Sequence, residues 1–91
     1  MNFEQVVFEL SKQDIGSKDQ VIVSCNDNNT YIGRIIKKTI IDSVNDTEFS
    51  VLIHTRDERV CLCLKTRLDG VGPDTADVVV YLDEILSISK N

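Results

Sequence analysis

Thirteen residues near the C-terminus, Asp77 to Ser89, constrain the fold of this chain more than any other stretch. A β-branched run, Val78-Val79-Val80, passes through Tyr81 and Leu82, breaks at the acidic pair Asp83-Glu84 and resumes as Ile85, Leu86 and Ile88. The pattern predicts a strand, one tight turn and a short second strand. Small β-barrels often close in this way, the last strand set off from the previous one by a single turn.

The rest of the chain fits a β-rich domain led by one helix. Phe3, Val6, Val7 and Leu10 recur at i, i+3, i+4 and i+7, which puts all four on one face of a helix over about residues 2–12. Asn2 suits the N-cap, Gln5 stands three residues on as in a capping box, and Gly16 offers a stop. That apolar face is expected to pack over one barrel opening. Val21 to Val23 give a short strand, and Asn26-Asp27-Asn28-Asn29 a hairpin turn. A long strand is predicted from Thr30 to about Ile41, with Gly33 as a bulge or bend. A turn over residues 42–46 follows, then strands at Glu48 to Thr55 and Arg59 to Thr66. Both faces of the latter are apolar, so it should be central. Residues 67–76 form the longest loop.

Ninety-one residues make one domain, 1–91, near the lower limit for burying a core without disulfides or metals. No apolar run approaches the roughly 20 residues that cross a bilayer, and no basic-then-apolar leader opens the chain, so a cytoplasmic location without membrane contact is expected. Three cysteines cannot form a fully paired framework, which fits a reducing compartment and thiols used as small apolar groups. The net charge of -5 removes the electrostatic attraction that supplies most non-specific nucleic-acid binding, and so favours a protein partner.

This order of elements resembles the Sm-like fold, a helix followed by a strongly bent five-stranded antiparallel barrel. Tyr31-Ile32-Gly33-Arg34-Ile35 is similar to the first Sm motif, and Asp83-Glu84-Ile85-Leu86-Ser87-Ile88 to the end of the second. The resemblance implies an Sm-like or SH3-like barrel, and a family that binds single-stranded RNA as an oligomeric ring. Asp42 and Asn45 resemble the aspartate and asparagine that hold a uridine base in that family, but lie too far from Gly33 for the usual spacing. Tyr81-Leu82 replaces the arginine-glycine pair expected before Asp83, so the base-stacking arginine is missing. The strand Arg59 to Thr66 exceeds the family's count. Acidic bacterial members of the family bind a protein, and this chain is similar to them in charge, leading helix and ending.

No constellation reads as catalytic. Cys61 and Cys63 share a strand face, and Cys25 and His54 could complete a zinc set, yet structural zinc sites draw their cysteines in pairs from turns. His54, where a strand meets a charged turn, reads as a surface residue. The loop Asp69-Gly70-Val71-Gly72-Pro73-Asp74 lacks the lysine and hydroxyl of a phosphate loop and the EF-hand spacing. Strand alternation sends Arg34 and Lys38 to one face and Lys37 to the other. The sequence therefore predicts a mainly β domain: a small antiparallel five- or six-stranded barrel with an N-terminal α-helix. It is expected to be non-enzymatic and cofactor-free, a regulatory module docking on a protein through a strand edge or acidic turns. The alternative is an RNA-binding ring with Tyr31, Asn45 and Tyr81 near the bases. The candidate binding residues are Tyr31, Arg34, Asp42, Asn45, Tyr81 and Asp83, and homo-oligomers are possible through open strand edges.

Overall fold

The computed structural model describes residues 1–42, 47–67 and 75–91. It is mainly β, with one N-terminal helix, α1 (Phe3–Lys12). The strands are β1 (Gln20–Cys25), β2 (Thr30–Ile35), β3 (Lys38–Asp42), β4 (Thr47–Val51), β5 (Ile53–Arg56), β6 (Arg59–Arg67), β7 (Thr75–Tyr81) and β8 (Ile85–Lys90). A 3-10 turn, Leu82–Glu84, separates β7 from β8. The closing segment is thus strand, tight turn and strand, as its pattern predicts.

Helix α1 begins on the predicted capping box: the Gln5 amide donates to Asn2 Oδ1 at 2.8 Å and the Asn2 amide to Gln5 Oε1 at 2.9 Å. Its end comes before Gly16. Asp14 takes the left-handed conformation (φ 54), its amide bonding to Ser11 O and that of Ile15 to Leu10 O. This double closure satisfies two terminal carbonyls and turns Ile15 into the core beside Leu10. Val6 and Leu10 are the buried residues of the helix, whereas Phe3, Val7 and Phe8 are exposed. The expected four-residue buried face is therefore half as wide, because the helix meets the sheet along the Val6–Leu10 line only.

Six antiparallel strands form one sheet, in the order β5-β6-β2-β1-β8 with β7 also on β6. β6 is central, as its two apolar faces predict. β2 and β5 lie end to end along the same side of β6. Gly33–Ile35 pair with Thr66–Leu64, the Ile36 amide donates to Cys63 O at 2.7 Å, and Ile53–Arg56 pair with Leu62–Arg59. Together they act as one composite strand. Residues between them leave it as the separate β3-β4 hairpin, whose register runs from Lys38↔Val51 to Asp42↔Thr47. The predicted long strand from Thr30 to Ile41 is therefore two strands, and the predicted strand from Glu48 to Thr55 breaks at Leu52. The chain must leave and rejoin the ladder at Ile36 and Ile53.

Gly33 is not a bulge. It sits in unbroken register with Val21 and Thr66, and a Cβ there would lie 2.4 Å from Lys65 O. Glycine is required by the close approach of two backbones.

The sheet is not closed into a barrel, contrary to the sequence expectation. β8 pairs with β1 and β7 with β6, and among the described residues β7 and β8 share no ladder. The three-residue turn between them redirects the chain to the far side of the sheet, leaving β7 at one edge and β8 at the other. The core lies on the face covered by α1, with Val21, Val23, Ile35, Leu62, Leu64 and Ile85 nearly or fully buried. No helix among the described residues is long and apolar enough to cross a membrane.

Candidate functional site

The hydrogen-bond parity of β6 decides what β7 exposes. Cys63 O faces Ile36, so the odd residues of β6 turn their backbone groups toward the composite strand and the even ones toward β7. The two-residue hairpin at Asp57-Glu58, both with positive φ (51 and 63), closes on Arg56↔Arg59 in the same phase. Leu62, Leu64 and Thr66 face Val80, Val78 and Ala76. The N–H and C=O groups of Thr75, Asp77, Val79 and Tyr81 therefore point away from the sheet. Among the described residues β7 has no strand on that side.

The opposite edge is occupied. Asn91 N donates to Gln20 O, which sets the phase so that Ile88 and Lys90 face outward from β8. The Gln13 carboxamide fills that position like a strand residue, donating to Ile88 O at 2.8 Å and accepting from Lys90 N at 2.9 Å. The Met1 nitrogen donates to Leu82 O and Ile85 O at 2.9 and 2.6 Å. Leu86, 63% exposed, marks the remaining open stretch.

Beside the β7 edge, on the face away from the helix, lies a hollow of about 410 Å³. Its floor is Ile36, Cys61, Cys63 and Val79, and His54, Arg56, Lys37 and Asp77 stand around it. Cys61 is 1% exposed, and burial pushes its thiol pKa up, with the neighbouring Cys63 adding to the effect. Burial likewise raises Cys25, with Asp27 and Glu84 contributing. Such thiols are held protonated and poorly nucleophilic. Cys25 belongs to the core on the helix side, across the sheet from Cys61, Cys63 and His54, so the four do not converge as a zinc set. His54 is half-buried, its Nε2 3.0 Å from Ile36 O. It ties the two halves of the composite strand together, which corrects its reading as a plain surface residue.

The sequence candidates are scattered. Tyr31 packs half-buried against the core on the helix side, where burial first and Asp27 second raise its pKa. Arg34 is exposed on the other face. Asp42 ends β3, and Asn45 lies outside the described residues. The loop Asp69 to Asp74 also lies outside them. Tyr81 and Asp83 do come together, through a residue that the sequence did not single out. Arg59 lays its guanidinium carbon 3.7 Å from the Tyr81 ring centroid, reaches Asp83 Oδ1 at 2.6 Å and Glu84 Oε1 at 3.6 Å. The Tyr81 hydroxyl bonds Asp57 Oδ2 at 3.4 Å. The one available signal was the Asp57-Glu58 hairpin, which returns Arg59 toward the end of β7. Arg59 covers one face of the ring, and Tyr31 is on the opposite side of the sheet, so the two tyrosines do not form one stacking surface. No protein-family model, curated protein or solved structure matches this chain.

Proposed function

We propose that this chain is a non-enzymatic regulatory module of the cytoplasm that takes up an extended segment of a protein partner along the edge of β7. The observation that carries this reading is the contrast between the edges: β7 turns the backbone of four residues outward over Thr75–Tyr81, while Gln13 fills β8. Unpaired main-chain groups in extended register are complementary to another main chain. An added strand would place alternate side chains over the hollow floored by Cys63 and Val79, so the edge supplies affinity and the hollow selectivity. Asp77 is the one charged residue of β7. An RNA-binding ring is favoured less. Head-to-tail closure uses two complementary edges, and β8 offers only the stretch around Leu86.

The test is selection of displayed random nonapeptides on the immobilised protein, followed by fluorescence polarisation of the enriched sequence. Val79→Pro removes an outward N–H and leaves the β6 ladder intact, so a folded variant is expected to bind at least about tenfold more weakly. Equal binding by wild type and variant, or saturable binding of oligouridine in place of any peptide, would sink the reading.

A further inference from the structure

The face away from the helix carries a second feature, adjoining the hollow at the β7 edge and sharing Ile36 and Lys37 with it. Arg34 on β2 stands directly opposite Lys65 on β6. Arg34, Lys37, Lys65 and Ser17, with Ile35 and Ile36, line one hollow of about 190 Å³. Lys37 was expected on the face opposite Arg34. It reaches the same hollow because β2 ends at Ile35 and regular alternation stops where the chain leaves the composite strand.

Like charges opposite one another across a ladder are destabilising, so three cations around one hollow favour an anion among them. Two carboxylates lie nearby, and neither lines this hollow. Asp77 is the cross-strand partner of Lys65 on the same face and lines the neighbouring hollow together with Lys37, so it offsets part of this charge from outside the cationic hollow, whose lining it does not join. Asp19 accepts from the Gly16 amide at 2.8 Å and pairs with Lys90 at 3.7 Å. Among the described residues no ion pair involves Arg34, Lys37 or Lys65. The chain as a whole carries a charge of -5, so its long-range field repels anions. An anion retained here would be held by contacts inside the hollow.

We propose that the Arg34–Lys37–Lys65–Ser17 hollow is an oxyanion site that takes a phosphate group. The guanidinium presents a planar fork of donors, the two ammonium groups add point charges, and the Ser17 hydroxyl donates a further hydrogen bond. Two to three positive charges match a phosphate at neutral pH better than a carboxylate.

The site is tested by ¹⁵N-NMR titration of the full chain with sodium phosphate at constant ionic strength, sodium chloride and sodium acetate serving as controls, and a phosphoserine tetrapeptide as a second arm. Expected are saturable shifts confined to Ser17, Arg34, Lys37 and Lys65, in phosphate and not in chloride or acetate. A phosphopeptide that binds tighter than phosphate marks a phosphorylated chain as the source, and equal affinity marks the free ion. Lys65→Glu should weaken binding at least about tenfold. Lys37→Gln, outside the strands and therefore without effect on the ladder, should weaken it about threefold. Val79→Pro should leave phosphate binding unchanged, which separates this site from the peptide edge. Non-saturable shifts, the same shifts in chloride, or full binding by Lys37→Gln and Lys65→Glu would overturn the proposal.

Discussion

β7 and β8, two edge strands of the sheet, come from one continuous segment, three residues apart, and they meet opposite fates. β8 reads Ile-Leu-Ser-Ile-Ser-Lys and is covered; β7 reads Thr-Ala-Asp-Val-Val-Val-Tyr and is open. Apolar content does not explain this, since β7 carries the longer β-branched run. The difference lies in what stands beside each strand. Gln13, 75 residues from Ile88 in sequence, satisfies one outward C=O and one outward N–H of β8. α1 also packs against that strand. An edge is closed by its spatial neighbours, and among the described residues no strand lies on the outer side of β7.

The sharpest way to break this contrast is a pair of adjacent prolines. Val80 directs its N–H toward Leu62 and is 2% exposed. Val80→Pro removes a ladder bond and a core side chain, and should cost about 3 kcal/mol or more. Val79→Pro should cost under about 1 kcal/mol, because its N–H faces outward. Urea denaturation of both variants reads the difference, and equal losses would mean that Val79 and Val80 do not direct their N–H groups to opposite sides of β7.

Removing the cover from β8 has a smaller effect. Gln13→Ala deletes two hydrogen bonds to the strand edge and should destabilise by about 1–2 kcal/mol. It should also raise the mass found by light scattering at high concentration, since β8 then becomes a second sticky edge. An unchanged mass would show that α1 alone protects β8.

The smallest expected effect separates the two faces by pH. Burial raises the thiol pKa of Cys25 on the helix side and of Cys61 on the outer face above the ordinary value near 9. The folded state thus binds these protons more tightly than the unfolded one. Stability is fully present below the ordinary value and falls as pH climbs through it. Thermal melts should hold steady from about pH 6 to 8 and decline above about 9. Cys61→Ala should remove part of that decline, and a melt whose alkaline decline is unaffected in Cys25→Ala/Cys61→Ala would refute this origin.

Local signals carried much of the fold. Asn2 and Gln5 announce the start of α1, and the turn at Asp83-Glu84 separates β7 from β8, because caps and turns are set by neighbours within three or four residues. Arg59 to Thr66 reads as central from its own two apolar faces. The composite strand was not legible: aliphatic residues resume at Ile40-Ile41 after the polar stretch Lys37-Lys38-Thr39, and a long strand carries such a stretch as readily as the break between two strands does. His54 reads as a hairpin residue until the fold sets it against Ile36 O. Of the candidate site, Tyr81 and Asp83 were each named, but the Arg59 that joins them comes from another strand.

The sequence alone determined the β-rich class, the leading helix, the central position of β6 and the final strand-turn-strand, all products of short-range periodicity and turn chemistry. Tertiary structure decided that the sheet stays open, that β7 is the exposed edge, and that Arg34, Lys37 and Lys65 meet. Those outcomes depend on which distant backbone groups find partners, and residue order along the chain does not record that pairing.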